Sequence, residues 1–435
     1  MIGSLTKNQR DYIFYHLELF IDMPSVLKDS FVFGDVQQGK ICFEVNDDTY
    51  DISRVVWVGN LPVLFPGKDK ARIYDFESGT LHFKQDLFKS AFYLLSGYQE
   101  YNSPRKDDLG RFPYEASVQH ELNIIDRPVV NEYFEIMIEA ISDYCEYHGI
   151  EFKRKNKNKK AALFLTHDVD RIDKYTFHTV KGVIKKKQFG KMFSWLMKWL
   201  NPFYRNNPKW TFDYLERTEK ERNLRACYFF LNKDVKHLDS YYRFTDKRIR
   251  KLIAHLETNG HLIGLHGGVR SSGDVSKIGN DLTVLNSVVK ASVKGNRQHR
   301  LLFKHPQTMC HLEEAGITFD SSLGFAGHEG FRNSYCHPFK LFDFENDRMI
   351  DVWEVPLNVM DGTLFTYRGL DYEAALNSVK ELKQIIVRHK GVFTLLFHQD
   401  FLDEEEHPGI RSFYEKTLDL LCQDDMSVFD PESLI

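Results

Sequence analysis

Two carboxylates stand one residue apart at the end of an apolar run, in Ala161-Ala-Leu-Phe-Leu-Thr-His-Asp-Val-Asp170. The run predicts a short buried strand. On an extended backbone Asp168 and Asp170 then share one face. Two like charges this close resist joint ionisation unless a cation or an arginine lies between them. Ionised groups at a buried strand end are costly without partners. A divalent metal held by one carboxylate, with the other left free as a base, meets both demands. The plainer reading is a pair of solvated turn carboxylates. Further polar groups end other apolar runs: His266 in Gly260-His-Leu-Ile-Gly-Leu-His266, Asp361 after the run 352–359, and His398 after Val392-Phe-Thr-Leu-Leu-Phe397.

The segments between these groups alternate in type. Ala226–Leu231 predicts a strand and 246–258 a helix; 281–291 predicts another helix, and Tyr372–Lys390 a long one stopped by Gly391. Strand, helix and strand in series argue for parallel strands with crossover helices. In a parallel barrel the C-terminal strand ends meet at one mouth, so acids and imidazoles far apart in the chain converge there. A single strand-end histidine is usually a core or capping residue, but several at successive strand ends are harder to explain that way.

The chain has 435 residues, is 42% hydrophobic and carries a formal net charge of -4. That length allows two or three domains, and that charge does not point to nucleic acid as a partner. The six cysteines are dispersed, without a CxxC pair, which fits reduced, buried thiols. The opening residues lack an apolar signal core and no apolar run is long enough to span a bilayer, so a cytoplasmic location is expected.

Residues 1–152 predict a small mixed α/β domain, with helices over 7–22, 84–98 and a third capped by Asn131 and ended by Gly149. Between the last two lies a polar, aromatic loop, 98–113, in which Arg105, Asp108 and Arg111 either touch a substrate or simply pair among themselves. Lys153–Lys160 has no apolar residue and reads as a basic linker, leaving 161–435 as the second domain. A second basic stretch, 181–200, interleaves lysines with Trp195, Trp199 and leucines. It suits peripheral contact with an anionic membrane, or an ordinary amphipathic helix packed on the barrel.

From Ala161 to Ile435 these motifs resemble the polysaccharide deacetylase superfamily, of the NodB-homology or carbohydrate esterase family 4 type. Thr166-His-Asp-Val-Asp170 is similar to its first motif and Gly260–His266 to its second. Asp320-Ser-Ser-Leu-Gly-Phe325 resembles the segment after the third, and Leu396-Phe-His398 the last. With Gly110-Arg-Phe-Pro113 and Arg127-Pro-Val-Val-Asn131, the whole chain resembles bacterial two-domain members whose leading domain has no known function. The resemblance implies a distorted (β/α)7 barrel and metal-dependent removal of N- or O-acetyl groups from a glycan, as in surface polysaccharide metabolism. It makes Asp168 the general base, Asp170 and His266 metal ligands, His398 the general acid, and Arg297 the group that orients Asp168.

One departure matters. The second motif usually carries two histidines four apart, and here the later position is Arg270, which cannot ligate because its guanidinium stays protonated. The third ligand is then His299 or His305 from the next loop, with His299 favoured by its spacing from Arg297. Otherwise it is a water, or the metal is lost and Arg270 supplies the positive charge. The metal would be Zn, or Ni, Co or Mn. His328, Arg332, Asp361 and Arg270 are expected to contact the carbohydrate, and Asp361 is also placed to orient His398. The reading from a different class is a non-catalytic glycan-binding or scaffold protein on a degenerate barrel. A weaker one is amide hydrolysis or deamination of a small molecule.

Overall fold

The computed structural model describes residues 3–155, 160–174, 197, 207–233, 239–423 and 426–434. The basic stretch 181–200 lies outside the described residues, Met197 apart, as does the middle of the linker, 156–159. Among the described residues no helix is long and apolar enough to cross a membrane.

The first half builds one four-stranded sheet from β1 (Phe31–Phe33), β2 (Ile41–Phe43), β5 (Tyr74–Glu77) and β6 (Thr80–Phe83), in the order β1-β2-β6-β5. A separate pair is formed by β3 (Val56–Val58) and β4 (Leu61–Val63). Helices Lys7–Leu17, Leu87–Leu95 and Val129–His148 belong to the same half. The expected N-cap at Asn131 is wrong. Proline presets the φ that a helix start needs, Pro128 takes the cap position, and the Asn131 side chain instead accepts from the Cys336 amide at 3.1 Å. Gly149, with φ 63°, closes that helix in the left-handed conformation.

The second half is organised by a curled ten-stranded sheet. Its central strands are β7 (Ala162–Val169), β8 (Ala226–Leu231), β9 (Leu262–Gly267), β10 (Gly295–Gln298) and β11 (Phe319–Asp320). They are joined by β12 (Phe339–Asp343), β13 (Arg348–Glu354), β14 (Val359–Met360), β15 (Val392–Leu396) and β16 (Ser427–Val428). The order is β12-β13-β11-β10-β9-β8-β7-β15-β14, with β16 beside the start of β7. Every pairing is parallel except the β12–β13 hairpin. Helices Phe212–Lys220, Lys247–Thr258, Val275–Asn286, Gln307–Glu314 and Tyr372–His389 supply crossovers. The fourth-strand helix starts earlier than the expected 281, because the Asp274 carboxylate caps the amides of Ser276 and Lys277. Lys390, with φ 54°, takes the left-handed position that Gly391 was expected to fill.

Strand β7 is buried along its whole length, and alternation assigns its two faces. Phe164 packs inside the curl with Cys227, Phe229, Phe319 and Val392, whereas Leu163, Leu165 and Val169 join the outer core. Thr166 and Asp168 therefore continue the inner face above Phe164. His167 points the other way, where its ring nitrogens meet the Phe397 carbonyl at 2.6 Å and the Glu219 carboxylate at 2.8 Å.

The two halves share one continuous apolar core. Tyr12 donates to the Lys340 carbonyl at 2.7 Å, and its ring meets Phe342 edge-on at 5.6 Å. Residues 153–155 do not hang free: the Lys155 amide donates to the Phe20 carbonyl and the Asp22 amide to the Lys153 carbonyl. The loop 322–338 threads between the halves, with Val130 donating to the Ser334 carbonyl and Phe331 to the Ile125 carbonyl. The six cysteines are unpaired, and four of them are buried.

Three imidazoles are trapped in this seam. The His16 ring accepts from the Lys340 amide at 3.1 Å. His305 packs on Phe344, with ring centres 5.5 Å apart, and His337 on Phe20, at 5.1 Å. Burial lowers their pKa values to about 3, about 4 and about 4. An unfolded chain takes up these protons below about pH 6.5 while the folded chain refuses them. The stability they contribute is therefore present above that pH and lost as pH falls toward 4. Thermal midpoints followed by circular dichroism should decline from about pH 6.5 downward, and His337→Leu should make the decline shallower.

Candidate functional site

The C-terminal ends of β7, β9, β10 and β15 bring five chemical groups to one mouth. Pairing of β9 with β10 sets His266 opposite Arg297, and pairing of β7 with β8 sets Asp168 opposite Phe229. Arg297 has no exposure. Its Nη1 donates to Thr166 Oγ1 at 2.7 Å and Asp168 Oδ1 at 3.2 Å, its Nε to the Ser321 carbonyl at 2.7 Å, and its Nη2 to Ser321 Oγ at 2.8 Å. The guanidinium also lies 4.7 Å from the Phe229 ring centre. The segment that receives it is held in turn: Asp320 accepts from the Ser322 amide at 3.0 Å and Glu354 from the Leu323 amide at 2.8 Å.

Asp170, His266 and His299 each offer an atom to a common point, with the three atoms within 4.8 Å of one another. His266 Nε2 lies 3.3 Å from Asp170 Oδ1, and His299 Nε2 lies 3.5 Å from Asp170 Oδ2. The outer nitrogens are spoken for. His266 Nδ1 donates to the Arg297 carbonyl at 2.8 Å, and His299 Nδ1 contacts Asp239 Oδ1 at 2.8 Å. Such partners fix which ring nitrogen keeps its lone pair. Asp170 Oδ1 and His266 Nε2 are both buried and lack a hydrogen-bond partner. A cation between them would satisfy both atoms at once. The donor set of one carboxylate and two imidazoles is what a divalent transition metal takes, so the residues fit one.

Electrostatics follow the same geometry. Burial alone would raise the Asp170 pKa, but the imidazoles of His299 and His266 hold it well below the usual carboxylate range. Burial alone would lower that of His299, yet Asp170 and Asp239 raise it to about 9. His398 likewise is pushed up to about 10 against the effect of burial, chiefly by Asp361. Asp361 Oδ1 accepts from His398 Nδ1 and Oδ2 from the His398 amide, both at 2.7 Å, so the ring is fixed with Nε2 4.0 Å from Asp170 Oδ2. Asp168 Oδ2 lies 3.5 Å from His266 Nε2, on another side of the cluster. The side chains of Asp170 and His398 are each 21% exposed, and a cleft of about 200 Å³ opens beside Asp170, lined by Arg171, Asp173, Tyr241, Tyr242 and Arg248.

The remaining expected residues fall outside the cluster. His305 is packed in the seam. Arg270 is exposed in the turn after β9. Two expected carbohydrate contacts need correction. Arg332 is only 4% exposed and is spent on Glu100, at 2.7 Å, and on the Gly324 carbonyl. Asp361 has no exposure and serves His398. Both were misplaced because the first half and strand β15 cover positions that a lone loop would present to solvent. His328 is half-buried against Tyr114, with ring centres 4.7 Å apart.

Sequence reasoning missed Asp239, Thr166 and Ser321. Asp239 lies in a polar loop with no periodic pattern, but Gly268 carries an indirect sign of it: a Cβ there would meet Asp239 Oδ2 at 2.6 Å. Gly268 thus makes room for the carboxylate that pairs with His299.

Comparison with known proteins gives a divided picture. Residues 8–146 match the model of a family of unknown function, DUF7033. No curated protein matches the chain. Among solved structures, a Mycobacterium smegmatis protein assigned as a polysaccharide deacetylase is 18% identical, with 64% of this chain and 90% of that one covered at a TM-score of 0.44. A family 4 carbohydrate esterase from Streptomyces lividans, in complex with acetate, is 10% identical over 63% of this chain and 93% of that one, at 0.32. A family 4 pseudoenzyme from Bacillus anthracis is also 10% identical, over 64% and 66%, at 0.33. These scores are low, and the pocket is read from its own geometry.

If the pocket holds a metal, its orienting partners should matter nearly as much as its ligands. Titration calorimetry with Zn²⁺ should show Asp239→Asn and Gly268→Ala binding about 10–100-fold more weakly than the parent, and Asp170→Asn not binding measurably.

Proposed function

We propose that the chain is a metal-dependent carbohydrate deacetylase. The observation that carries this reading is the convergence of one atom each from Asp170, His266 and His299 beside two separately oriented groups, Asp168 and His398, at one mouth of a parallel sheet. Asp170, His266 and His299 would hold the ion. When bound, it would supply Lewis acidity, lowering the pKa of a water and polarising an acyl oxygen.

The chain's own residues supply the rest. Asp168, anchored through Oδ1 by Arg297, keeps Oδ2 toward the pocket and is the base that accepts a proton from the attacking water. His398 keeps Nε2 toward the pocket and, with Asp361 favouring its charged form, gives its proton to the departing nitrogen or oxygen. Asp361 fixes the imidazole and stabilises its charged form. The reaction is hydrolysis: water adds to the acetyl carbon, the bond to the sugar nitrogen or oxygen breaks, and acetate and a free amine or hydroxyl leave. The carbohydrate comes from the motif resemblance, and surface polysaccharide metabolism is the setting it suggests.

The test is acetate release from N-acetylated chito-oligosaccharides and O-acetylated xylan with Zn²⁺, Co²⁺, Ni²⁺ or Mn²⁺ added. Asp168→Asn should lower the rate by about 10²–10⁴-fold in a protein that circular dichroism shows still folded, with a lower thermal midpoint because the buried Arg297 loses its counter-charge. A protein that binds these glycans equally well before and after the substitution, and releases no acetate in either form, is a glycan-binding module instead.

A further inference from the structure

We infer that Arg111, from the first half of the chain, is a positioning residue for the pocket in the second half; this rests on the metal reading above. Arg111 is 8% exposed and locked by its own loop. Its Nε donates to Asp107 Oδ2 at 2.7 Å, and Asp107 Oδ1 accepts from the amides of Arg111 and Leu109 at 2.9 and 3.0 Å. With that end fixed, the other two nitrogens reach across to the barrel. Nη1 donates to the Arg300 carbonyl at 3.0 Å and Nη2 to the Tyr367 hydroxyl at 3.2 Å.

Those two acceptors sit on the loops that carry the chemistry. Arg300 directly follows His299, and both Arg300 and Leu301 hold positive φ, 61° and 54°. Neither is glycine, so this backbone is strained and persists only where its surroundings hold it. Tyr367 ends the helical turn Gly362–Tyr367, which begins directly after Asp361. The same loops also meet through apolar contact: Leu301 clusters with Met360, Leu357 and Leu396, neighbours of Asp361 and of Phe397-His398. The loop bearing the third ligand and the loop bearing the partner of His398 are thus pinned together twice, once by Leu301 and once by a guanidinium lent by the first half. A planar fork that satisfies three acceptors at once is an arginine property that lysine lacks.

The experiment compares the full-length parent with Arg111→Ala, Arg111→Lys and Arg127→Ala. It measures Zn²⁺ affinity by competition with a chromophoric chelator, alongside the thermal midpoint of each metal-free protein. Arg111→Ala should weaken Zn²⁺ binding by about 10–100-fold, and Arg111→Lys should fail to restore it. Arg127→Ala breaks a comparable pair in the first half, to Glu132 at 2.6 Å. It should lower the midpoint without moving the affinity. Should Arg111→Ala not fold, the lysine variant carries the same expectation. Parental affinity in either Arg111 variant overturns the inference while leaving the metal pocket standing, as does an equal loss of affinity in Arg127→Ala. A parent protein that binds no Zn²⁺ overturns the metal reading and this inference with it.

Discussion

A guanidinium with no access to water sits inside the curl of the sheet, and the mouth is arranged around that fact. Arg297 cannot shed its charge, so its nitrogens must be met where they lie. They are met by Asp168 and Thr166 on β7 and by Ser321 after β11. Removing the charge would leave the Asp168 carboxylate buried and unpaired, a loss of about 3–5 kcal/mol in comparable sites. The same residue lends its backbone carbonyl to His266 Nδ1. One residue therefore fixes Asp168 through its side chain and His266 through its main chain.

Part of this was legible in the sequence, for a simple reason. Asp168, Asp170, His266 and His398 each close an apolar run, and parallel strands buried on both faces must place such ends together. His299 was legible from its spacing after Arg297, although it lies in the turn just past β10. The helix over Val275–Asn286 was legible only in its second half, since 281–291 reads as helical while its start is set by the Asp274 cap.

What stayed hidden depends on contacts between distant segments. The loop around Arg332, rich in glycine and aromatics, has the composition of a sugar-facing loop. It is instead sealed by Glu100, Gln119 and Asn131 from the first half. Nothing in local spacing announces that burial. Asp239 is hidden differently, since with 62 acidic residues in the chain a single loop carboxylate carries no signal. Only the rule that a ligating histidine needs a partner for its second nitrogen would have prompted a search for it.

The turn after His266 is shaped by segments far from it in the chain. That turn is filled: a Cβ on Gly267 would meet the Gln298 side chain at 2.7 Å, and one on Gly268 would meet Asp239 at 2.6 Å. The space beside Gly268 is taken by the Asp239 carboxylate that meets His299 Nδ1. His299 itself lies just past β10, at the start of a loop that is strained at Arg300 and Leu301. The place of His299 beside Asp170 and His266 thus depends on what steadies that loop, and the contacts there come from the apolar cluster at Leu301 and from Arg111 of the first half.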